Sequence, residues 1–435
     1  MARQHDYVVF GCTGFTGEFV LEEMLRLNPK GKIAAAGRSH AKVEATVKRV
    51  VGRVEGCQIA DVAIVVADVK DTQSMTNMAK STQLILNCVG PFRFFGEPVV
   101  KCCAENGTHY VDITGEPEFM ERMYLKYNDV AKSNGSLIVN ACGFDSIPAD
   151  LGCEFAVQQF KDRQLVSKVE SFLFMHAEKG GSAHYTTYEC AIHGFANQGE
   201  LKQTRQQIKA MDEQNGRGGA ISTIGPRPKP GDLIPWNKAM DAYTLPFPGS
   251  DASVVRRTQL YMDKVAGLHP VNFGASFCVK STLYLFITSI VGMVFTFLAK
   301  YEFGRKLLLD NPKLFSFGVF SHEGPTIEQI HASSFEMRMI VSAYDSHAAM
   351  KDHKTKAPTI KKMIRVIGPE PGYIATSSFI VCSALSLVED GKERAKRGNG
   401  LDIQGGVYTP AVALFHEKFI QRLAKRNIKF ETMAI

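Results

Sequence analysis

The chain has 435 residues, a formal net charge of +7, 45% hydrophobic residues and 22% charged residues. This length exceeds the size at which a single hydrophobic core usually stops growing, so we expect at least two domains. The composition is that of a globular protein, which excludes a disordered or fibrous chain. Lysine and arginine are scattered without a dense basic block, so we expect no nucleic-acid partner.

The ten cysteines and the first residues bear on the cellular compartment. Since no pair of cysteines has a CxxC spacing, the sequence indicates neither a metal site nor a disulfide framework. Reduced thiols suit a protein that faces the cytosol. The N-terminus runs within a few residues into a predicted strand and leaves no room for a cleavable signal peptide, so we do not expect secretion.

A glycine-rich turn, GCTGFTG at 11–17, follows a predicted strand at 7–10 and precedes a helical pattern at 18–27. Gly11 allows a tight turn, Gly14 lets backbone N–H groups approach a diphosphate, and Gly17 lets the helix pack closely on the strand. The spacing is GxxGxxG rather than GxGxxG, so an ordinary turn stays an alternative when the loop is taken alone. The candidate cofactor-binding residues of this turn are Gly11, Thr13, Gly14, Phe15, Thr16 and Gly17.

The second predicted strand, 33–36, is followed by Arg38 at the place where NAD-binding folds usually have an acidic residue. An arginine can bond a 2′-phosphate bidentately and stack on adenine, whereas a carboxylate would repel the phosphate. Ser39 and Lys42 can add contacts. This pattern favours NADP over NAD as the cofactor, and the alternative is that Arg38 is a solvated residue at a strand end.

Strands and helices alternate through residues 1–150, which predicts an α/β domain with a Rossmann-type doubly wound parallel sheet of six strands. The fourth strand, 84–88, opens into a Gly-Pro turn where the nicotinamide half of a cofactor would lie. Asn87, Gly90 and Pro91 are therefore candidate residues of the cofactor wall. The other predicted elements are strands at 63–68, 108–112 and 137–139 and helices at 71–80, 98–106 and 117–132.

Two polar loops, 112–116 and 143–150, follow the fifth and sixth predicted strands. Ligands of open α/β sheets bind at the carboxyl ends of strands, so Glu116 and Asp145 are candidate catalytic residues. Residues at these positions can equally be helix N-caps. In the second domain, after a predicted strand at 166–175, His184 is a candidate proton donor, although a single histidine is more often structural. Residues 216–231 are rich in Gly, Pro and Lys and predict a mobile linker or lid.

Residues 281–299 form an uncharged apolar run between Lys280 and Lys300, and a second apolar stretch follows at 307–317. A helix of this length nearly crosses a ~30 Å hydrocarbon core. Two apolar pieces around a basic turn favour a hairpin that enters one leaflet or a lipid-droplet monolayer, with Lys300, Arg305 and Lys306 near the headgroups. The alternative is a helix buried between the domains or at a homodimer contact.

Motifs along nearly the whole chain resemble the saccharopine dehydrogenase family. They are GCTGFTG at 11, AGRS at 36, NCVGPFRFFGEPV at 87, YVDITGE at 110, GFDSIPADLG at 143, GSDASVVRRTQ at 249, GPTIEQI at 324, GPEPGYIAT at 368 and GGVYTPAVAL at 405. The resemblance implies a Rossmann domain, a second α+β domain on a mixed sheet inserted after the sixth strand, and a C-terminal return to the first domain. We therefore expect domains at 1–150, 151–404 and 405–435.

The resemblance also implies NAD(P)-linked oxidoreduction, with the cofactor held by the glycine turn and Arg38. Related trans-acting enoyl reductases make C=C reduction plausible, and close relatives are associated with lipid droplets and membranes. A saccharopine-type amino-acid dehydrogenase needs cationic side chains in the second domain. The adjacent Arg256 and Arg257 are expected on a strand, where they would face opposite sides.

Together these observations predict an NADP-dependent oxidoreductase that acts on a hydrophobic or lipid-like substrate at a membrane or lipid-droplet surface. One alternative is a lipid-surface protein that keeps the dinucleotide-binding fold without catalysis. The other is a saccharopine-type amino-acid dehydrogenase.

Overall fold

The computed structural model describes residues 3–27, 31–214, 223–226, 236–395 and 403–434. The loop predicted at 216–231 lies outside these residues except for 223–226. The chain divides into two compact units. The first unit comprises Met1–Phe144, Gly199–Gln207 and Pro371–Arg426, and the second comprises Asp145–Gln198, Ile208–Glu370 and Asn427–Ile435.

The described residues form sixteen strands. In chain order they are β1 His5–Phe10, β2 Ile33–Gly37, β3 Val62–Val66, β4 Thr82–Asn87, β5 His109–Asp112, β6 Leu137–Val139, β7 Val166–Ala177, β8 Ala183–His184, β9 Trp236–Asn237, β10 Ala242–Pro246, β11 Asn272–Val279, β12 Phe320–Ser321, β13 Ser333–Ala343, β14 Ile360–Pro369, β15 Gly406–Tyr408 and β16 Lys429–Met433.

The α-helices of the described residues are α1 Phe15–Arg26, α2 His40–Val51, α3 Thr72–Ser81, α4 Phe92–Glu105, α5 Pro117–Ser133, α6 Ile147–Gln158, α7 Tyr185–Ala196, α8 Gln198–Gln214, α9 Asp251–Ala266, α10 Thr282–Lys300, α11 Glu302–Asp310, α12 Pro312–Phe315, α13 Ile327–His331, α14 His347–Lys351, α15 Thr376–Glu389, α16 Gly391–Ala395, α17 Pro410–Leu414 and α18 Glu417–Ala424.

The first unit is built on a seven-stranded sheet in the order β15-β6-β5-β4-β1-β2-β3. All six pairings are parallel. The strands carry continuous runs of valine, isoleucine, leucine and alanine because helices cover both faces of a parallel sheet. The predicted Rossmann-type sheet is confirmed, and β15 adds a seventh strand beside β6.

Helix α4 begins at Phe92, six residues before the predicted start at Pro98. A proline is common in the first turn of a helix, which suggested a start at that residue. The carboxylate of Glu116 instead accepts the backbone N–H groups of Phe92 and Arg93, so a residue distant in sequence caps the helix. Pro98 lies inside α4.

Helix α15 packs into the core of the first unit, although the sequence assigned its residues to the second domain. It consists almost entirely of apolar and small side chains, and the Ser378 hydroxyl donates to Glu23 of α1 over 2.8 Å. Arg426 donates to both carboxylate oxygens of Glu23. The structural division therefore differs from the expected ranges at residues 371–395, and also at the C-terminus, where β16 pairs with β14 of the second unit.

The second unit contains a seven-stranded mixed sheet in the order β16-β14-β13-β7-β11-β10-β9. Strand β7 pairs in parallel with β11 and antiparallel with β13. Burial alternates along most of β13, so one face of this strand is covered and the other is partly open. Helix α6 packs against β13 and β14, and α9 packs against β11. The expectation of an α+β domain with a mixed sheet is confirmed.

The expectation that Arg256 and Arg257 lie on a strand is wrong, because both belong to helix α9. Val254 and Val255, directly before them, are β-branched residues of the kind that favours a strand. The buried positions follow the helical period, so packing on α6 decides the local conformation. These positions are Asp251, Val254, Val255, Thr258, Gln259 and Met262.

The apolar run predicted at 281–299 forms helix α10, and the stretch after it forms α11 and α12. Two helical segments of the described residues are long and apolar enough to cross a membrane. Of the most apolar window in Pro371–Glu389, 83% is buried, as in a core helix, whereas 11% of the window in α10 is buried. Helix α10 is therefore not a core helix of this chain.

Candidate dinucleotide-binding site

The turn at 11–17 joins the central strand β1 to α1, and two of its glycines are required by the backbone. Gly11 has a φ of +84°, and a Cβ there would lie 2.7 Å from Cγ2 of Val89. A Cβ on Gly17 would lie 2.1 Å from the carbonyl oxygen of Gly11. Only glycine allows this close approach of α1 to the turn.

The third glycine leaves the front of α1 open. Gly14 is exposed, and among the described residues a Cβ there would contact only the carbonyl oxygen of Gly11, at 3.4 Å. Gly14 is the N-cap of α1 and brings no side chain to the helix terminus. The N–H groups of a first helical turn lack intrahelical acceptors and carry partial positive charge. This open cradle fits the diphosphate of a dinucleotide.

The other predicted residues of the turn have different surroundings. Thr13 is exposed, and its side chain lies 3.9 Å from the position a Cβ would take on Gly37, at the end of β2. Phe15 packs edge-on against Tyr373 with ring centroids 4.8 Å apart, so its side chain belongs to an aromatic cluster. Thr16 is half-buried in the first turn of α1.

Arg38 lies directly beside the glycine turn. In the pairing of β1 with β2, Phe10 is opposite Ala36, and Gly11 N–H donates to the Ala36 carbonyl over 2.9 Å. Arg38 and Lys42 are both exposed, and Arg38 forms no ion pair within the described part of the chain. Ser39 is the N-cap of α2 and accepts the backbone N–H of Lys42 at 3.5 Å.

On the other side of β1, Asn87 ends β4 opposite Phe10. Its side chain is fully buried: Nδ2 donates to the Tyr110 hydroxyl over 3.1 Å, and Oδ1 accepts the N–H of Val89 at 3.0 Å. Asn87 therefore shapes the turn that follows β4. Gly90 is half-buried in that turn, and Pro91 is buried at the start of α4.

Sequence reasoning missed the centre of this network, Asp112 at the end of β5. Its carboxylate accepts from the Tyr110 hydroxyl at 2.8 Å, Asn140 Nδ2 at 2.7 Å, and the N–H groups of Ala141 and Thr114 at 2.9 and 3.1 Å. Burial raises the pKa of Asp112 to about 6. The sequence feature that could have revealed this network is that three neighbouring strands end in polar residues. A parallel sheet brings such strand ends to one edge.

Glu116 is buried, and its two carboxylate oxygens accept the N–H groups of Phe92 and Arg93 at 2.8 and 3.3 Å. Glu116 is the N-cap residue of α5, as its position before Pro117 predicted, but its side chain caps α4 instead. These contacts fix the turn between β4 and α4. The oxygens are committed to backbone donors, so the structure gives Glu116 a positioning role.

Asp145 and His184 belong to the second unit. Burial raises the pKa of Asp145 to about 6, and burial followed by the charge of Asp145 raises the pKa of Asp251. His184 is the N-cap of α7, where Nδ1 accepts the N–H of Thr186 at 3.3 Å. Burial lowers the pKa of His184. The contacts of His184 are those of a helix cap.

A parallel sheet whose central strand leads through an open glycine turn into a helix defines a dinucleotide-binding protein of the Rossmann class. Residues 7–139 match the family model described as the saccharopine dehydrogenase NADP binding domain. A solved structure of saccharopine dehydrogenase from Saccharomyces cerevisiae has the same overall fold, with a TM-score of 0.54 at 11% identity, covering 99% of this chain and all of the other.

A saccharopine dehydrogenase-like oxidoreductase of Homo sapiens is 37% identical over 99% of this chain and 98% of its own length. A probable mitochondrial saccharopine dehydrogenase-like oxidoreductase of Arabidopsis thaliana is 34% identical over 99% of this chain and 96% of its own. A lipid droplet localized protein of Caenorhabditis elegans is 32% identical over 98% of each chain. The chain therefore belongs to the saccharopine dehydrogenase-like oxidoreductase family. Its first domain is the NADP-binding domain of that family.

Proposed function

We propose that the protein is an NADPH-dependent oxidoreductase that acts on an apolar, lipid-like substrate at a membrane or lipid-droplet surface. The observation that carries the proposal is the exposed guanidinium of Arg38 beside the open glycine turn. The N–H groups at the start of α1 would hold the diphosphate. Arg38, with Lys42 nearby, would bind the 2′-phosphate that distinguishes NADPH from NADH.

The start of α4 supports an apolar substrate. Phe94 is 52% exposed in the first turn of α4, directly after the turn that would border the nicotinamide. The guanidinium of the neighbouring Arg93 is paired with Glu200. This part of the site therefore presents an aromatic ring, and its nearest arginine is committed to a carboxylate. That arrangement suits a hydrocarbon or conjugated chain better than the amino-dicarboxylate of a saccharopine-type enzyme.

When bound, NADPH supplies the hydride. The residues of this chain position the cofactor: Asn87 and Glu116 fix the turn after β4. Glu116 and His184 accept backbone N–H groups at helix starts, so neither is proposed as the proton donor. The name of the worm relative supports the droplet surface, and the name of the plant relative makes mitochondrial membranes a second location to test.

The experiment is a fluorescence titration of the purified protein with NADPH and NADH, followed by anaerobic oxidation of bound NADPH with enals and enones of increasing chain length. We expect tighter binding of NADPH and a kcat/KM that rises with chain length. Replacing Phe94 by serine should flatten that rise without changing the NADPH affinity. Failure to bind either nucleotide contradicts the proposal, and binding without oxidation of NADPH supports the non-catalytic alternative.

A further inference from the structure

The second unit carries large exposed apolar side chains on α10 and on the segments that follow it. Leu283, Met293 and Phe297 of α10 are 68%, 65% and 58% exposed. We call this surface the insertion face. It consists of Leu283, Tyr284, Phe286, Ile290, Met293, Val294 and Phe297 of α10, together with Tyr301, Phe303, Leu307, Leu314 and Phe317. Large apolar side chains that cluster on one exposed side of a helix mark a binding surface.

The opposite side of α10 is packed on protein. The ring of Phe295 lies 5.7 Å from Tyr188 and 5.4 Å from Phe195, both on α7, and Leu285 and Ala299 are buried near the two ends of the helix. These contacts hold α10 against the second unit through a few side chains on one side. The packing on α7 therefore leaves one apolar side of α10 for an external surface.

Two threonine hydroxyls of α10 bond back to the carbonyls of the helix. Thr288 and Thr296 donate their hydroxyls to the carbonyls of Tyr284 and Gly292, each over 2.7 Å. Arg305 donates to the carbonyls of Ala299 and Lys300 over 3.2 Å at the end of the helix. Hydrocarbon offers no hydrogen bonds, so a segment that enters it must satisfy its polar groups in this way.

Charge identifies the partner. Residues 280–315 contain five lysines and arginines but two carboxylates, and Lys280 and Lys300 flank the two ends of α10. Tyr284 and Tyr301 are 64% and 47% exposed, and amphipathic rings favour the headgroup boundary. Contact with the same face of a second copy would bring like charges together. Anionic lipid headgroups instead complement these cations.

We propose that the insertion face enters one leaflet of a phospholipid surface containing anionic headgroups, with α10 parallel to the surface. This inference rests on the proposed function, which places the enzyme at a lipid surface, and it adds the contact segment, the depth and the lipid charge. The aromatic and aliphatic side chains enter the acyl region, and the lysines and arginines remain at the headgroups.

The experiment is sedimentation of the full-length protein with vesicles of phosphatidylcholine alone or mixed with phosphatidylserine. We expect at least about tenfold tighter binding to the anionic vesicles, which weakens with added salt. The double variant Phe286→Ser/Phe297→Ser should lose about tenfold or more in binding. Met175→Ser is the matched control, since Met175 is 55% exposed on β7, outside the insertion face.

Depth is measured with Leu283→Trp and Phe297→Trp in vesicles of brominated lipid. Equal, shallow quenching at both positions supports an α10 that lies flat, whereas deep quenching at one position alone contradicts it. The inference is also overturned if the wild type does not bind vesicles but forms a dimer, and if Phe286→Ser/Phe297→Ser dissociates that dimer. NADPH titration of the same samples separates the two proposals. A wild-type protein that binds NADPH but no vesicles rejects the insertion face alone, whereas a protein that binds vesicles but neither nucleotide rejects the proposed function alone.

Discussion

The glycine turn at 11–17 and the insertion face differ in chemistry: the turn exposes polar backbone groups, and the insertion face exposes apolar side chains. In the turn, missing side chains leave backbone N–H groups open, as the space before Gly14 shows. In α10, large apolar side chains point outward while the threonine hydroxyls bond back to the helix carbonyls. A diphosphate needs backbone N–H groups that are free to donate to it, whereas a segment in contact with lipid needs its polar groups already hydrogen-bonded within the protein.

The largest expected effect comes from adding one methyl group in each region. Gly17→Ala places a Cβ against the Gly11 carbonyl and displaces α1, so we expect the NADPH affinity to fall at least about 100-fold. Gly292→Ala on α10 meets nothing within 4 Å among the described atoms and should raise helix stability by about 1 kcal/mol. Nucleotide titration and thermal unfolding measure both variants. If both variants bound NADPH equally well, the claim that the turn requires glycine at position 17 would be wrong.

The buried carboxylate of Asp112 gives the dinucleotide-binding region a pH dependence. Its folded pKa of about 6 lies above the ordinary value of 3.8, so this group's contribution to stability is fully present below about pH 4 and is lost as the pH rises through 6. The loss amounts to about 3 kcal/mol. Urea unfolding of the wild type and of Asp112→Asn between pH 4 and 7 tests this prediction. We expect the difference in the free energy of unfolding between the wild type and Asp112→Asn to change with pH. A difference that stays constant from pH 4 to 7 would contradict the prediction.

The two sides of α10 should respond differently to truncation. Phe295→Ala removes the ring that packs on α7 and should destabilise the second unit by about 2 kcal/mol. Phe297→Ala, on the exposed side, should change stability by less than about 0.5 kcal/mol. Chemical unfolding measures both, and a larger effect of Phe297→Ala would mean that the exposed side is the packed one.

The smallest effect is expected at His184. Loss of the cap on α7 in His184→Ala should cost about 1 kcal/mol of stability. NADPH oxidation by the variant should keep the wild-type kcat when assayed well below the melting temperature. A large fall in kcat with unchanged stability would instead assign His184 to proton transfer.

The parallel sheet and glycine turn could be predicted because both depend on short segments: a buried β-branched run, a turn that excludes side chains, and a helix. The roles of Asn87 and Glu116 could not, because their partners lie 23 and 24 residues away and the same residue types suit a cofactor wall or an acid. Local patterns also mislead at Val254-Val255, where packing on α6 selects a helix. The apolar run at 281–299 predicted a helix, but only the packed structure shows which side stays exposed.

The central claim is that Arg38 binds the 2′-phosphate of NADPH and so selects NADPH over NADH. The most direct measurement is the ratio of the Kd values for NADH and NADPH in the wild type and in Arg38→Gln. We predict that the substitution lowers this ratio by about 10- to 100-fold, through weaker NADPH binding and unchanged NADH binding. Equal loss of both nucleotides, or no change in the ratio, would contradict the claim.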